Sequence, residues 1–298
     1  MDRHSLRGPL FILAAALCFS LGGLFIRLSP FSPLATNGGR CAIAALFTLF
    51  FQKKRPRPNS SIWTAALAVC LTGVLYTGAT RFAGAGVAIT LQYTSTAFVV
   101  LLSFLLFRER PSRRDVAACA LVLAGVILVF RGGFSGAGLA GCCMGLGSGI
   151  SYACVFLARR FPGAEMQSGY LLGEILGAAI GLPFLWKERA LFSLSAIGVL
   201  AVLGVFQMGL SYLLLAKGLE ETPPLPASLI ASVEPVLNPL WAALFLKEQM
   251  SQSALLGAGL VLAACLWSTL SPQKTGPSAH SRRAHRQTLH KNIRNVSF

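Results

Sequence analysis

Apolar residues along this chain run in blocks and do not alternate with polar ones. Ten such stretches, at 9–28, 34–51, 62–80, 85–107, 115–130, 137–158, 168–186, 194–216, 225–246 and 253–270, are separated by short polar breaks. A helix needs about 20 apolar residues to cross a bilayer core, and in lipid a helix satisfies its own backbone groups. The pattern predicts an all-α polytopic membrane protein with ten transmembrane helices. The first run follows Arg3 and Arg7 as a signal peptide would. Its length exceeds an h-region and no convincing cleavage site follows, so a retained helix is expected.

Composition agrees: 54% of residues are hydrophobic and 12% charged, about half the charged share of a soluble domain. The formal charge of +16 raises nucleic acid as a partner. A nucleic-acid binder clusters its basic residues on one folded face with aromatics between them. Here they occupy the breaks, so no nucleic acid is expected and the charge reads as topology. With ten spans, Arg3, Arg7, Lys53–Arg57, Arg108–Arg114, Arg159, Arg160, Lys217 and the basic segment 271–298 share one side, and together they hold most of the 26 Lys and Arg. The positive-inside rule places both termini in the cytoplasm, in a multi-pass protein of the cell (inner) membrane. Trp63, Trp186 and Trp267 fall at span ends, where an aromatic belt sits. Residues 1–8 form a cytoplasmic N-terminus. Residues 271–298 have no apolar face and read as a disordered basic tail able to meet anionic lipid.

The eight cysteines lie in apolar runs without metal-ligand spacing, and the four histidines lie in the terminal segments. No cofactor, metal or disulfide framework is expected. Gly145–Gly149 superficially resembles a phosphate loop, but no Lys-Ser/Thr follows and no strand precedes.

The two halves resemble each other at nearly constant separation. Arg108-Glu109 matches Lys247-Glu248, Leu121–Ala124 matches Leu260–Ala263, Arg27 matches Arg159, Gly39-Arg40 matches Gly173-Glu174, and Tyr76 matches Tyr212. Two repeats of five spans, 9–130 and 137–270 joined by a linker at 131–136, must be inverted, because an odd unit begins its second copy on the opposite side. Inverted repeats are the architecture of alternating-access carriers.

Span four with its exit, Leu91-Gln92-Tyr93-Thr94 to Phe107-Arg108-Glu109-Arg110-Pro111, pairs with Ala231-Ser232-Val233-Glu234-Pro235-Val236 to Leu246-Lys247-Glu248 in span nine. These segments strongly resemble EamA-type members of the drug/metabolite transporter superfamily, over residues 9–270. The resemblance implies ten helices in two inverted five-helix repeats around a central cavity, and an activity ranging over metabolite, sugar-phosphate and drug carriers. Arg40 fits the family's usual arginine in span two. Arg108 and Lys247 stand where glycine is common, a departure at a helix end.

Glu234 is the sharpest candidate. It lies near the middle of a 225–246 span beside Pro235, and a charge there costs about 2.5–3.5 kcal/mol on insertion scales. Pro235 removes a backbone donor and opens the helix. Asn238 and Trp241 follow at helical spacing on the same face. Glu234 therefore reads as a substrate-amine or proton-coupling site, or as a partner for a neighbouring helix. Gln92 and Tyr93 read as cavity wall, while Ser95, Thr96 and Ser103 read as interhelical glue. Tyr76, Tyr152, Tyr212 and Gln207 lie on spans the resemblance places around the cavity, as lining or as ordinary packing. Arg40 and Glu174, at matching repeat positions, read as gate or entrance residues on opposite sides, or as side chains that snorkel or make a local contact. Glu109 and Glu248 are expected to meet the N-terminus of the following helix.

The reading is a secondary carrier of a small organic solute, working by alternating access and outward. Glu234 with Arg40 and Arg81 favours a zwitterion such as an amino acid. A membrane-embedded enzyme is disfavoured because no span holds histidine, and a scaffold or receptor because the loops are short.

Overall fold

The structure, a computed structural model, describes residues 6–52, 59–109, 111–133, 138–247 and 251–269. Every element among them is helical. Seven spans are long and apolar enough to cross a membrane: Arg7–Leu28, Pro33–Phe51, Ser60–Ala83, Ala85–Phe107, Leu139–Arg160, Met166–Lys187 and Leu194–Glu221. The remaining helices are α7 (Arg113–Gly133), α12 (Pro224–Ile230), α13 (Glu234–Leu246) and α14 (Gln252–Thr269). The basic tail, Glu248 and residues 53–58 lie outside the described residues.

Several spans that the apolar pattern presents as continuous are broken near their middles. The first is α1 (Arg7–Phe19) followed by α2 (Gly22–Leu28), and the fourth is α5 (Ala85–Gln92) followed by α6 (Ser95–Phe107). A 3-10 turn at Ala231–Val233 separates α12 from α13, just ahead of Pro235, as a ring without N–H requires. The span beginning with α10 (Leu194–Val202) passes through a π-helical turn, Leu203–Leu210, into α11 (Ser211–Glu221). Hydropathy carries no sign of these breaks, because their residues remain mostly apolar.

The other long spans are α3 (Pro33–Phe51), α4 (Ser60–Ala83), α8 (Leu139–Leu157) and α9 (Met166–Lys187). Their starts follow local chemistry: Ser32 caps α3 with Pro33 at its first position, and the Asn59 side chain accepts from the Ile62 N–H at 2.9 Å. Helices from the two halves pack against each other: α3 on α9, α4 on α8, α7 on α14, α1 on α11, and α13 on α2 and α5. At the α3–α9 crossing Gly38 faces the backbone of Gly181, so a Cβ on either would collide with the other helix.

Polarity is distributed as lipid demands. Phe50, Leu46, Trp186, Leu194 and Leu256 point outward, whereas Arg40, Glu174, Glu234, Asn37, Asn238, Gln92 and Gln207 are buried between helices. Trp63, Trp186 and Trp267 are exposed near helix ends. The seven described cysteines whose state is resolved are free thiols. Glu109, expected to meet the N-terminus of the next helix, has both carboxylate oxygens on Arg160. Arg108 takes left-handed backbone (φ 54°) at the end of α6 and turns the chain, and Glu109 then pairs with Arg160 through two bonds of 2.6 Å. The Arg160 guanidinium also lies 5.0 Å from the Phe107 ring centre.

Candidate substrate site

The broken spans converge on one small cavity. Its walls are Phe19, Arg40, Thr72, Gly73, Tyr76, Gln92, Tyr152, Gln207, Met208, Tyr212 and Glu234. Helix breaks supply much of this wall. Gln92 ends α5, Glu234 begins α13, Phe19 ends α1, and Gln207 and Met208 sit on the π turn, whose extra residue rotates them inward. The cavity has room for about one water molecule, a space far smaller than an organic solute.

A guanidinium and a carboxyl line this space without pairing with each other. Arg40 is 1% exposed and is held by neutral acceptors. Its Nη1 donates to Gln207 Oε1 at 2.9 Å, its Nη2 to Asn37 Oδ1 at 2.9 Å and to the Gly73 carbonyl at 3.0 Å, and its Nε to Asn37 Oδ1 at 3.2 Å. Glu234 Oε2 lies 2.7 Å from the Tyr93 hydroxyl. No ion pair joins Arg40 and Glu234, whereas Glu109 and Arg160 form one elsewhere in the bundle. Arg40 is thus a buried cation solvated by dipoles, and Glu234 a buried carboxyl with a phenol for company.

Pro235 explains the carboxyl's setting. Lacking an N–H, it cannot make the α-helical bond to the Ala231 carbonyl, which accepts instead from the Glu234 N–H in the 3-10 turn and from the Tyr93 hydroxyl at 2.6 Å. The phenol has one proton and stands at hydrogen-bond distance from both the carbonyl and Glu234. If that proton goes to the carbonyl, which can only accept, the second contact requires a proton on Glu234.

Of the nine residues expected to bind substrate, Glu234, Gln92, Tyr76, Tyr152, Gln207 and Tyr212 line the cavity. Tyr93, Asn238 and Trp241 stand behind the wall. Tyr93 anchors Glu234; Asn238 Nδ2 donates to Tyr76 Oη at 2.8 Å; Trp241 Nε1 donates to Ser20 Oγ at 3.1 Å. The shared face of Glu234, Asn238 and Trp241 therefore serves three different neighbours. Neither charged gate candidate sits at a surface. Arg40 lines the cavity, and Glu174 is 0% exposed between α9 and its neighbours, so snorkelling is excluded for both. Arg81 is not in the cavity; its Nη1 donates to the Ser29 carbonyl at 2.9 Å.

Phe19, Thr72, Gly73 and Met208 escaped the sequence reading. Thr72 had a signal, since Thr72, Thr77 and Thr80 interrupt an apolar span. Phe19 and Met208 had none, being apolar residues in apolar runs. Toward the bundle end that carries Arg160, the cavity is roofed by edge-on or tilted rings. Phe19 packs on Tyr212 at 5.1 Å between centroids, Tyr212 on Tyr170 at 4.9 Å, and Tyr152 on Phe156 at 5.0 Å.

Helices of membrane-spanning length with buried polar side chains around a cavity describe a multi-pass membrane protein. Comparison with known proteins specifies the class. The model of the EamA-like transporter family matches twice, at residues 6–131 and 139–270. The chain belongs to that family, and so is a transporter and not an enzyme. It is similar to an uncharacterized transporter, YwfM, of Bacillus subtilis (strain 168), with 27% identity over 91% of this chain and 97% of the relative. It is also similar to the threonine/homoserine exporter RhtA of Escherichia coli (strain K12), with 28% identity over 89% of this chain and 92% of the relative. A protein of known crystal structure superposes with TM-score 0.64, covering 95% of this chain and 99% of that one at 17% identity, which shows the fold alone.

Proposed function

We propose that this chain is a secondary carrier that exports a small amino acid or related zwitterion across the cytoplasmic membrane by alternating access. The observation that carries the reading is a buried guanidinium and a buried carboxyl that line one cavity without pairing with each other. A substrate carboxylate replaces the neutral acceptors on the Arg40 fork, and its ammonium group meets Glu234. Each charge is costly to bury alone, and a zwitterion satisfies both at once. A relative that exports threonine and homoserine supports the same solute class.

The carrier has ten spans in two inverted repeats, 9–130 and 137–270, with both termini in the cytoplasm. Three features support this. Helices pair across the halves in a pattern that maps onto itself when the halves are exchanged. Arg108 and Lys247, at matching repeat positions, share left-handed backbone at φ 54° and 55°. The fourth and ninth spans both break next to cavity residues. The aromatic roof with the Glu109–Arg160 pair then closes the cytoplasmic side, and Glu234 is the coupling residue that exchanges its proton for substrate amine.

Counterflow in proteoliposomes tests the proposal. Labelled L-threonine is expected to accumulate against unlabelled threonine in vesicles holding the wild type, and not in vesicles holding Arg40→Gln. A scaffold or receptor would give no counterflow with any of a panel of amino acids, and that outcome removes the carrier reading.

A further inference from the structure

Glu174 is a second buried carboxyl that the substrate site does not use. It lies on α9, is 0% exposed, and neither of its oxygens has a hydrogen-bond partner. Helix α9 packs against α3, α4 and α11, and each side of Glu174 can be named. From α3, Cys41 is an electrostatic neighbour, and the Thr48 hydroxyl faces the carboxyl without reaching hydrogen-bond geometry. From α11 the titratable neighbour is Tyr212, itself a cavity wall residue. From α4 the atoms nearest this stretch, beside Gly173, are the Ala66 carbonyl and the Val69 side chain, and Cys70 is the thiol there that neighbours Cys41. No cation among the described residues forms an ion pair with it.

An ionised carboxylate so enclosed has neither water nor counter-charge, whereas the neutral acid loses far less on burial. The seam around it is also tied to the substrate wall. Gly177, one turn along α9, is in contact distance of Cys41 Sγ and Asn37 Nδ2, and the same Asn37 accepts from Arg40. The α3–α9 contact is made through glycine, at Gly38 on Gly181, a smooth surface along which helices separate without unlocking large side chains.

We propose that Glu174 is a second proton-binding site of this carrier, loaded while the α3–α9 seam is shut and emptied to water when the seam opens. The proposal rests on the carrier reading for its role, but not for its chemistry: the carboxylic acid O–H passes its proton to water, leaving carboxylate and hydronium. Glu234 meets the substrate; Glu174 reports the state of the seam.

Infrared difference spectroscopy of the reconstituted full chain tests the chemistry without any substrate. At neutral pH the carbonyl stretch of a protonated carboxyl is expected in the wild type, in Glu234→Gln minus the Glu234 share, and in Glu174→Asp, with a distinct component lost in Glu174→Gln. Identical spectra for the wild type and Glu174→Gln overturn the proposal, and Glu174→Asp decides it by a shifted band should the glutamine variant fail to fold. In transport, Glu174→Gln is expected to keep L-threonine counterflow and to show weaker stimulation by a pH gradient than the wild type, the Glu234 share remaining. Stimulation equal to that of the wild type, or loss of counterflow in a folded variant, sinks the proposal. If the wild type itself shows no threonine counterflow, the substrate reading fails while the infrared result still decides Glu174.

Discussion

Tyr93 shows how much one side chain does here without touching solute. Its hydroxyl joins the Ala231 carbonyl to the carboxyl of Glu234, so it orients the proposed amine site from behind. Tyr93→Phe takes one of two donors from that carbonyl, which keeps the Glu234 N–H, and leaves the buried carboxyl untethered, a loss of about 1–3 kcal/mol. We expect a lower unfolding temperature and a raised KM for L-threonine, with counterflow still measurable. Arg40→Lys keeps the charge but loses the fork that reaches Asn37, Gly73 and Gln207 together. Its KM is expected to rise by about tenfold or more, since a point charge does not replace a bidentate donor; an unchanged KM would remove Arg40 from substrate binding. Glu234 was legible in the sequence because a mid-span acid is costly in lipid. The partner that tames it was not, since Tyr93 lies 141 residues away along the chain and only folding brings the two together.

At the scale of the element, the ends and interruptions of helices matter more than their lengths. Arg108 and Lys247 occupy left-handed backbone at φ 54° and 55°, a conformation costing an L-residue about 1–2 kcal/mol relative to glycine. Arg108→Gly and Lys247→Gly are each expected to stabilise the protein by about 1 kcal/mol, read as a higher midpoint of thermal unfolding in detergent. Both substitutions lie away from the cavity, so counterflow should be unchanged. The apolar blocks announced where helices run. They were silent on the breaks at Ser20-Leu21 and Tyr93-Thr94 and on the π turn at Leu203–Leu210, because burial in lipid selects apolar residues whether or not a helix is regular. Only the break at Ala231–Val233 carried a sequence mark, Pro235.

The whole molecule places at one end of the bundle a bidentate pair, Glu109 from the end of α6 and Arg160 from the end of the α8 span, that joins the two halves of the chain. Both partners are partly exposed, at 52% and 29%, so the pair contributes at most about 1 kcal/mol, a factor of about five in a conformational equilibrium. Reversing one charge, Glu109→Arg, should therefore change the counterflow rate of L-threonine severalfold, and adding Arg160→Glu should restore it. Failure of the double reversal to restore the rate would mean that the pair does not bias closure.

The amino-acid sequence by itself determined that the chain is a helical, multi-pass membrane protein of two similar halves, and that Glu234 needs an internal partner. Lipid enforces these properties locally, residue by residue, through the cost of exposing backbone and charge. Which polar residues share a cavity is another matter. Arg40 and Gln207 meet across 167 positions and Asn238 and Tyr76 across 162. Helix crossings with glycine at the contact, together with breaks invisible to hydropathy, set those meetings, and so only the tertiary structure decided that Arg40 and Glu234 line one cavity while Asn238 and Trp241 stand behind the wall.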